Sequence, residues 1–219
     1  MATIYRDSHG KRLIDYDRPS VAVDIAVLSV DPELGLVVLE VRRDSGTGWA
    51  LPGTFLWKGE VLAQAVERCL LTKANLTGLA ARQLRVFDGP DRDPRGWVLS
   101  VAHVAVVNID RITDRFPAAT RLVPVDAPGR LIYDHNAMIE LAVADLRARY
   151  EDKADPDHLL GQRFTLRELR QLHEVIGAIG HGSVDTFRRN MEAQLVATDR
   201  LLISESGGRP ARLFRRRRD

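Results

Sequence analysis

The stretch Trp49 to Leu79, WALPGTFLWKGEVLAQAVERCLLTKANLTGL, constrains the fold more than any other part of the chain. Pro52-Gly53 supplies a tight turn, Phe55 to Trp57 an apolar piece, and Gly59-Glu60 a break before a helix. From Val61 to Leu71, the residues Val61, Leu62, Ala65, Val66, Cys69 and Leu70 recur at helical spacing. A loop that feeds directly into an amphipathic helix is the expectation.

The segments around it read as strands. Val21 to Val30 is a β-branched apolar run, Asp31 to Gly35 is turn chemistry, and Leu36 to Val41 is the partner strand of a hairpin. Arg42 and Arg43 follow at its end, where they offer guanidinium forks to a diphosphate or simply decorate a strand end. Trp49 lies beyond the glycine-containing loop 44–48, and an aromatic there either stacks on a base or belongs to the core. Leu84 to Phe87 predicts a short strand, and Val98 to Ile109 a strong one, across a loop dense in Gly, Pro and Asp. Thr120 to Val125 predicts an edge strand, because Pro124 cannot donate to a ladder on both sides. Asn136 to Tyr150 predicts a helix with Met138, Leu141, Ala142 and Leu146 on one side. The order predicts an α+β chain with a mixed sheet packed between helices.

The central stretch closely resembles the Nudix box, the loop–helix–loop of nucleoside-diphosphate-X hydrolases. Glu60 and Arg68 match the glutamate and arginine that brace the loop in that family, while the opening glycine falls on Thr54 beside Gly53. Where the box has glutamates on its helix, this sequence has Cys69, Thr72 and Lys73. Magnesium takes oxygen ligands, carboxylates above all, so the resemblance implies a binding pocket with no catalytic residue and no metal. A second piece, DPRGWVLSVAHVAVV, is similar to a segment of the Nudix-related transcriptional regulators called NrtR, with Trp97 and His103 as departures. On residue type, His103 in a strand reads as a hydrogen-bonded core histidine, with no metal cluster around it. The pocket residues implied are Arg42, Arg43, Trp49, Pro52, Gly53, Phe55, Glu60, Arg68 and Trp97.

Glu151 to Asp157, EDKADPD, is charged and contains a proline, and it reads as the boundary between domains at 1–156 and 157–219. Beyond it the charge changes sign. Residues 157–219 hold 12 Arg and 8 acidic groups, about +4, leaving about −2 on the preceding part of a chain whose net charge is +2. Six of those arginines, Arg209, Arg212 and Arg215 to Arg218, crowd the end, as a solvated tail or as a nucleic-acid footprint.

The segment before them favours the second reading. Thr165 to Glu168 is a capping box, Leu166, Leu169, Leu172 and Val175 mark an apolar face, and Gly177 or Gly180 ends the helix. Ser183 caps a second helix, Val184 to Leu195, with Phe187, Met191 and Leu195 inward. Leu201 to Ile203 and Leu213-Phe214 predict two strands around Gly207-Gly208-Arg209-Pro210, so the whole reads as a winged helix. Ser183, Asp185, Thr186 and Asn190 are candidates for base edges, and Arg188, Arg189, Arg209 and Arg212 for phosphates.

This segment is the third match to NrtR, whose C-terminal domain is a winged helix. The resemblance implies a homodimeric repressor of NAD-metabolism genes, with operator DNA and ADP-ribose as partners and no cofactor. An ADP-ribose pyrophosphatase and a regulator sensing another nucleotide sugar stay open. The single cysteine excludes an internal disulfide, and neither a signal peptide nor a membrane-spanning run is evident, so the cytoplasm is expected.

Overall fold

The computed structural model describes residues 5–44, 46–178, 183–202 and 210–217. Strands β1 (Ser20–Asp31) and β2 (Gly35–Arg42) form the predicted antiparallel hairpin, with Asp31 facing Gly35 across the turn. Short strands β3 (Trp49–Ala50) and β4 (Gly53–Phe55) precede helix α1 (Leu62–Ala74). Then come β5 (Arg82–Phe87), β6 (Val98–Val106), β7 (Thr120–Pro124) and α2 (His135–Glu151).

These seven strands make one mixed sheet in the order β3-β2-β1-β6-β5, with β4 added to β1 and β7 to β2. β1 runs parallel to β6 along its length and antiparallel to its other neighbours. Its continuous apolar run is explained by helices on both faces. Val23, Ile25 and Val27 point to α1, while Ala26 and Leu28 point to α2, the period-two alternation of a strand. β7 takes the edge beside β2, where Pro124 costs no ladder hydrogen bond.

One detail of this sheet prepares the site. β1 pairs with β2 only from Leu28 to Asp31, and over Ala22 to Asp24 its neighbour is β4. The hairpin therefore splays at the end where β2 runs on into Arg42.

The last part of the chain holds α3 (Leu166–Ile176), α4 (Val184–Glu192) and the antiparallel pair β8 (Leu195–Leu202) and β9 (Ala211–Arg216). The capping box closes as expected, Thr165 N–H donating to Glu168 at 2.6 Å and Glu168 N–H to Thr165 Oγ1 at 3.1 Å. Gly177, at φ 77°, ends α3. Its buried face is Leu169, Leu172, His173 and Ile176, and Val175 is exposed, because the helical pitch favours i, i+3, i+4, i+7. The same rule selects Met138, Ile139, Ala142, Val143 and Leu146 on α2 and leaves Leu141 half-buried. α4 stops at Glu192 rather than Leu195, since Leu195 is the first residue of β8 and pairs with Arg216. β6 likewise stops at Val106, before a 3-10 turn capped by the Asn108 side chain.

The segment after α2 is more firmly held than its charge suggests. Ala154 and Asp155 are buried, and Leu159, Leu172 and Ile176 join the core beneath α2. No helix among the described residues is long and apolar enough to cross a membrane.

Candidate effector cavity and nucleic-acid interface

A cavity of about 380 Å³ opens where β1 and β2 splay. Ala22 and Asp24 of β1, Val41 and Arg42 of β2, the Arg43-Asp44 loop and residues 53–55 form its walls. Arg92, Asp93, Arg95 and Tyr133 close it, and Lys73 reaches in from the last turn of α1. Its lining carries five cationic side chains (Arg42, Arg43, Lys73, Arg92, Arg95) against three carboxylates (Asp24, Asp44, Asp93). That balance attracts an anion.

Each carboxylate is already paired. Asp24 accepts from Ser100 Oγ at 2.5 Å and faces His135 Nε2 at 3.4 Å and Arg92 at 4.0 Å. Burial alone raises its pKa, but the facing His135 ring, the Ser100 hydrogen bond and Arg92 outweigh it and hold the carboxyl below its ordinary value. His135 is fixed in turn, because its Nδ1 accepts from Leu51 N–H at 3.0 Å and so places the ring proton toward Asp24. Gly53 is required here, since a Cβ would stand well inside van der Waals contact with Asp24 Oδ1.

Arg92 is the most unusual cation. Its side chain is 4% exposed, Nε donates to Asp134 at 2.6 Å, and Nη2 has no hydrogen-bond partner. A buried N–H without an acceptor costs stability, so an incoming oxygen is welcome there. Arg95 chelates Asp93 at 2.9 and 2.6 Å and lies between the rings of Phe55 and Tyr133, 5.2 Å from each. The Arg95 guanidinium keeps the buried Asp93 carboxyl below its ordinary range.

Of the residues expected at the pocket, Arg42, Arg43, Gly53 and Phe55 line this cavity. Glu60 and Arg68 stand behind it and lock the loop to α1. Arg68 donates to both Glu60 oxygens at 2.8 Å, to Thr54 Oγ1 at 3.0 Å and to Phe55 O at 2.9 Å, and its guanidinium lies 3.8 Å from the Trp57 ring. The Arg68 hydrogen bond lowers the Glu60 pKa to about 2. Pro52 is buried and receives Ile25 N–H at 2.9 Å. Trp49 packs on the core beside Arg121, 4.5 Å from its ring, and Trp97 is half-exposed; neither lines the cavity.

Sequence reading overlooked Asp24, Thr54, Asp44, Arg92, Arg95, Asp93 and Tyr133 as cavity residues. One signal was available, since Asp24 is the lone charge inside the apolar run Val21 to Val30.

On the box helix, Cys69 is buried and its thiol is pushed up to about 12 by burial. Thr72 turns its hydroxyl back to Arg68 O at 2.7 Å, and Lys73 Nζ holds Asp44 at 2.6 and 2.7 Å. No cluster of three or more His, Cys, Asp or Glu suited to a metal occurs among the described residues. His103 is a core residue, its Nδ1 2.9 Å from Val101 O, and burial lowers its pKa.

At the other end, Ser183 Oγ accepts from Thr186 N–H at 3.2 Å and caps α4. Asp185, Thr186, Arg188, Arg189 and Asn190 are exposed along that helix, Arg188 being paired with Glu192 at 3.0 Å. Arg212 is exposed on β9; Arg209 lies outside the described residues. Arg216 departs from the expected solvated tail. It turns inward onto Asp155, donates to Leu160 O at 2.6 Å and lies over the Phe164 ring.

Residues 156–216 match the NrtR DNA-binding winged helix domain. The ADPR responsive transcriptional repressor NtrR of Acinetobacter baylyi is 30% identical over 211 residues, 92% of this chain and 83% of that protein. The NrtR of Shewanella oneidensis complexed with a 27mer DNA superposes with a TM-score of 0.73 at 28% identity, covering 90% of this chain and 93% of that one. Its NUDIX domain complexed with ADP ribose superposes at 0.53 and 25% identity, over 63% of this chain and 95% of that one. An ADP-ribose pyrophosphatase of Methanocaldococcus jannaschii is 35% identical over 89 residues, 41% of this chain and 52% of that protein. A Nudix-like sheet with a cationic cavity, joined to a winged helix and related to a curated repressor along nearly its whole length, places this chain in the NrtR family.

Proposed function

We propose that this chain is a DNA-binding transcriptional repressor of NAD-metabolism genes whose cavity takes ADP-ribose and whose operator is released when it does. The observation that carries the reading is the continuity of α2. Its first residue, His135, braces the cavity through Asp24 and Leu51, and its Tyr150 holds the Asp155 joint to β9. A ligand favouring one arrangement of that helix weakens DNA binding by the factor by which DNA weakens the ligand.

The division of labour follows the boundary near 156, with sensing before it and DNA reading after it. Arg42, Arg43 and Arg92 face the diphosphate, while Phe55 and Tyr133, with Arg95 between them, offer faces for a base. Arg189, Arg212 and Asn190 meet DNA, in a cytoplasmic homodimer whose paired winged helices read two half-sites. Hydrolysis is the second reading, favoured by the archaeal pyrophosphatase relative. Against it stand Cys69, Thr72 and Lys73, which offer a metal at most one hydroxyl.

Titrating the full chain onto a fragment upstream of NAD-biosynthesis genes, with and without ADP-ribose, tests the proposal. Salt-sensitive binding that ADP-ribose releases is expected. Unchanged affinity at saturating ADP-ribose excludes the effector role, and AMP release with magnesium establishes the hydrolase.

A further inference from the structure

Lys73 stands in the last turn of the box helix, where a cation suits the helix dipole. It reaches the cavity wall and closes an ion pair with Asp44, whose side chain is 85% exposed while that of Lys73 is 29% exposed. A pair so open to water is weakly held and easily exchanged. Asp44 is the most solvent-accessible of the cavity's ion-paired carboxylates, since Asp24 and Asp93 are buried. Arg42 and Arg43, beside Asp44 in the chain, have no carboxylate partner among the described residues.

We propose that Lys73 is a built-in counter-cation for a diphosphate, released from Asp44 when the ligand enters, so that binding needs no divalent metal. The inference rests on the reading of the cavity as a nucleoside-diphosphate site. A diphosphate presents two charged phosphoryl groups where Asp44 presents one carboxylate, so the ammonium transfers to the ligand. Asp44 then returns to water at little cost. On the box helix it is Lys73 that lines the cavity, for Cys69 is buried in the core and Thr72 turns its hydroxyl back to Arg68 O.

Isothermal titration of the full-length chain with ADP-ribose, in EDTA or in excess magnesium, is the test. Wild-type protein is expected to bind equally in both, Lys73→Met to lose about tenfold or more in affinity, and Lys73→Arg to lose far less. Asp44→Asn is expected to tighten binding a few-fold by removing the competitor. Abolition of wild-type binding by EDTA overturns the proposal, as does an unchanged affinity of Lys73→Met. If wild-type protein ignores ADP-ribose, the effector reading alone falls, and inorganic pyrophosphate becomes the probe. Pyrophosphate bound by wild type and lost in Lys73→Met upholds the role of Lys73. Equal binding by both, or none by wild type, rejects it.

Discussion

The seven-stranded body and the winged helix reach stability by different means. In the body, both faces of β1 are sealed, one cluster running from Val23 through Cys69 to Ile112 and the other from Ala26 through Leu146 to Tyr150, with Leu172 and Ile176 of α3 docked onto it. The winged helix rests on a smaller cluster, Ala154, Phe164, Leu169, Met191, Leu195 and Phe214 among the described residues. Its shortfall is offset by polar contacts at the joint. Asp155, buried, accepts from Tyr150 Oη at 2.8 Å, Leu159 N–H at 2.9 Å and Leu160 N–H at 3.0 Å, besides Arg216. Apolar burial is non-directional and tolerates small shifts, whereas a hydrogen-bonded hub has one good geometry and fails as a unit. The difference suits a rigid sensor carrying a reorientable reader.

Removing the hub is the largest test of that contrast. Asp155→Ala leaves the half-buried Arg216 guanidinium without its carboxylate and a tyrosine hydroxyl and two amides without their acceptor, and is expected to destabilise the winged helix by about 3–5 kcal/mol. Hydrogen exchange in α3 and α4 is expected to rise and operator binding to fall, while ADP-ribose affinity stays near wild type. Equal loss of protection in β1 and β6 would show one cooperative unit and break the comparison.

The cavity offers the next test, on the rigid side. A Cβ at Gly53 collides with Asp24, so Gly53→Ala displaces either β4 or the Asp24–His135 contact, at a cost of about 1–3 kcal/mol. Loss of ADP-ribose binding with intact operator binding is the expected outcome. Simultaneous loss of both would mean that the two ends of α2 are coupled even without ligand.

On the DNA side, Arg188 is partly occupied by Glu192, whereas Arg189 is exposed with no ion pair among the described residues. Arg189→Ala is expected to weaken operator binding about tenfold and to lower the salt slope by about one. Arg188→Ala is expected to do less. A reversal of that order would show that DNA breaks the Arg188–Glu192 pair.

What could be read from the sequence was local. The β1–β2 hairpin, the box helix, the Thr165–Glu168 cap and the Ser183 cap each depend on neighbours a few residues away, so their spacing betrays them. The interior of the cavity depends on partners brought together by the sheet. Asp24 acquires its role from His135 and Ser100, and Arg92 from Asp134, none of them close in the chain. Arg216 looked like one of a basic run because charge patterning has no direction. Its pairing with Leu195 across the β8–β9 ladder is what turns it onto Asp155. Trp49 shows the same limit, since residue type alone left stacking and core equally open, and the packing beside Arg121 is set by β7.

The smallest effect separates the two regions by pH. His173 is buried between Tyr150 and Phe187, 5.2 and 5.1 Å between ring centres, with Nε2 2.8 Å from Ala154 O. Burial lowers its pKa, so the folded joint favours the neutral ring. A histidine depressed in the fold contributes stability that is complete above its unfolded value, about 6.5, and lost as pH falls below it. Glu60 in the body is the carboxylate counterpart. Its contribution is complete above the ordinary glutamate value and is lost only as pH falls toward about 2. His103 in β6 is lowered by burial in the same way, so mild acid is expected to act on the body through His103 and on α3 through His173. The three tryptophans, Trp49, Trp57 and Trp97, all lie in the body, so their fluorescence follows the His103 share while amide exchange in α3 follows that of His173. His173→Phe keeps the edge-on ring packing and removes the titration, and is expected to flatten the α3 response between neutral and mildly acid pH. An unchanged acid response in that variant would assign the sensitivity of the joint to another group and leave the contrast between the regions resting on Asp155 alone.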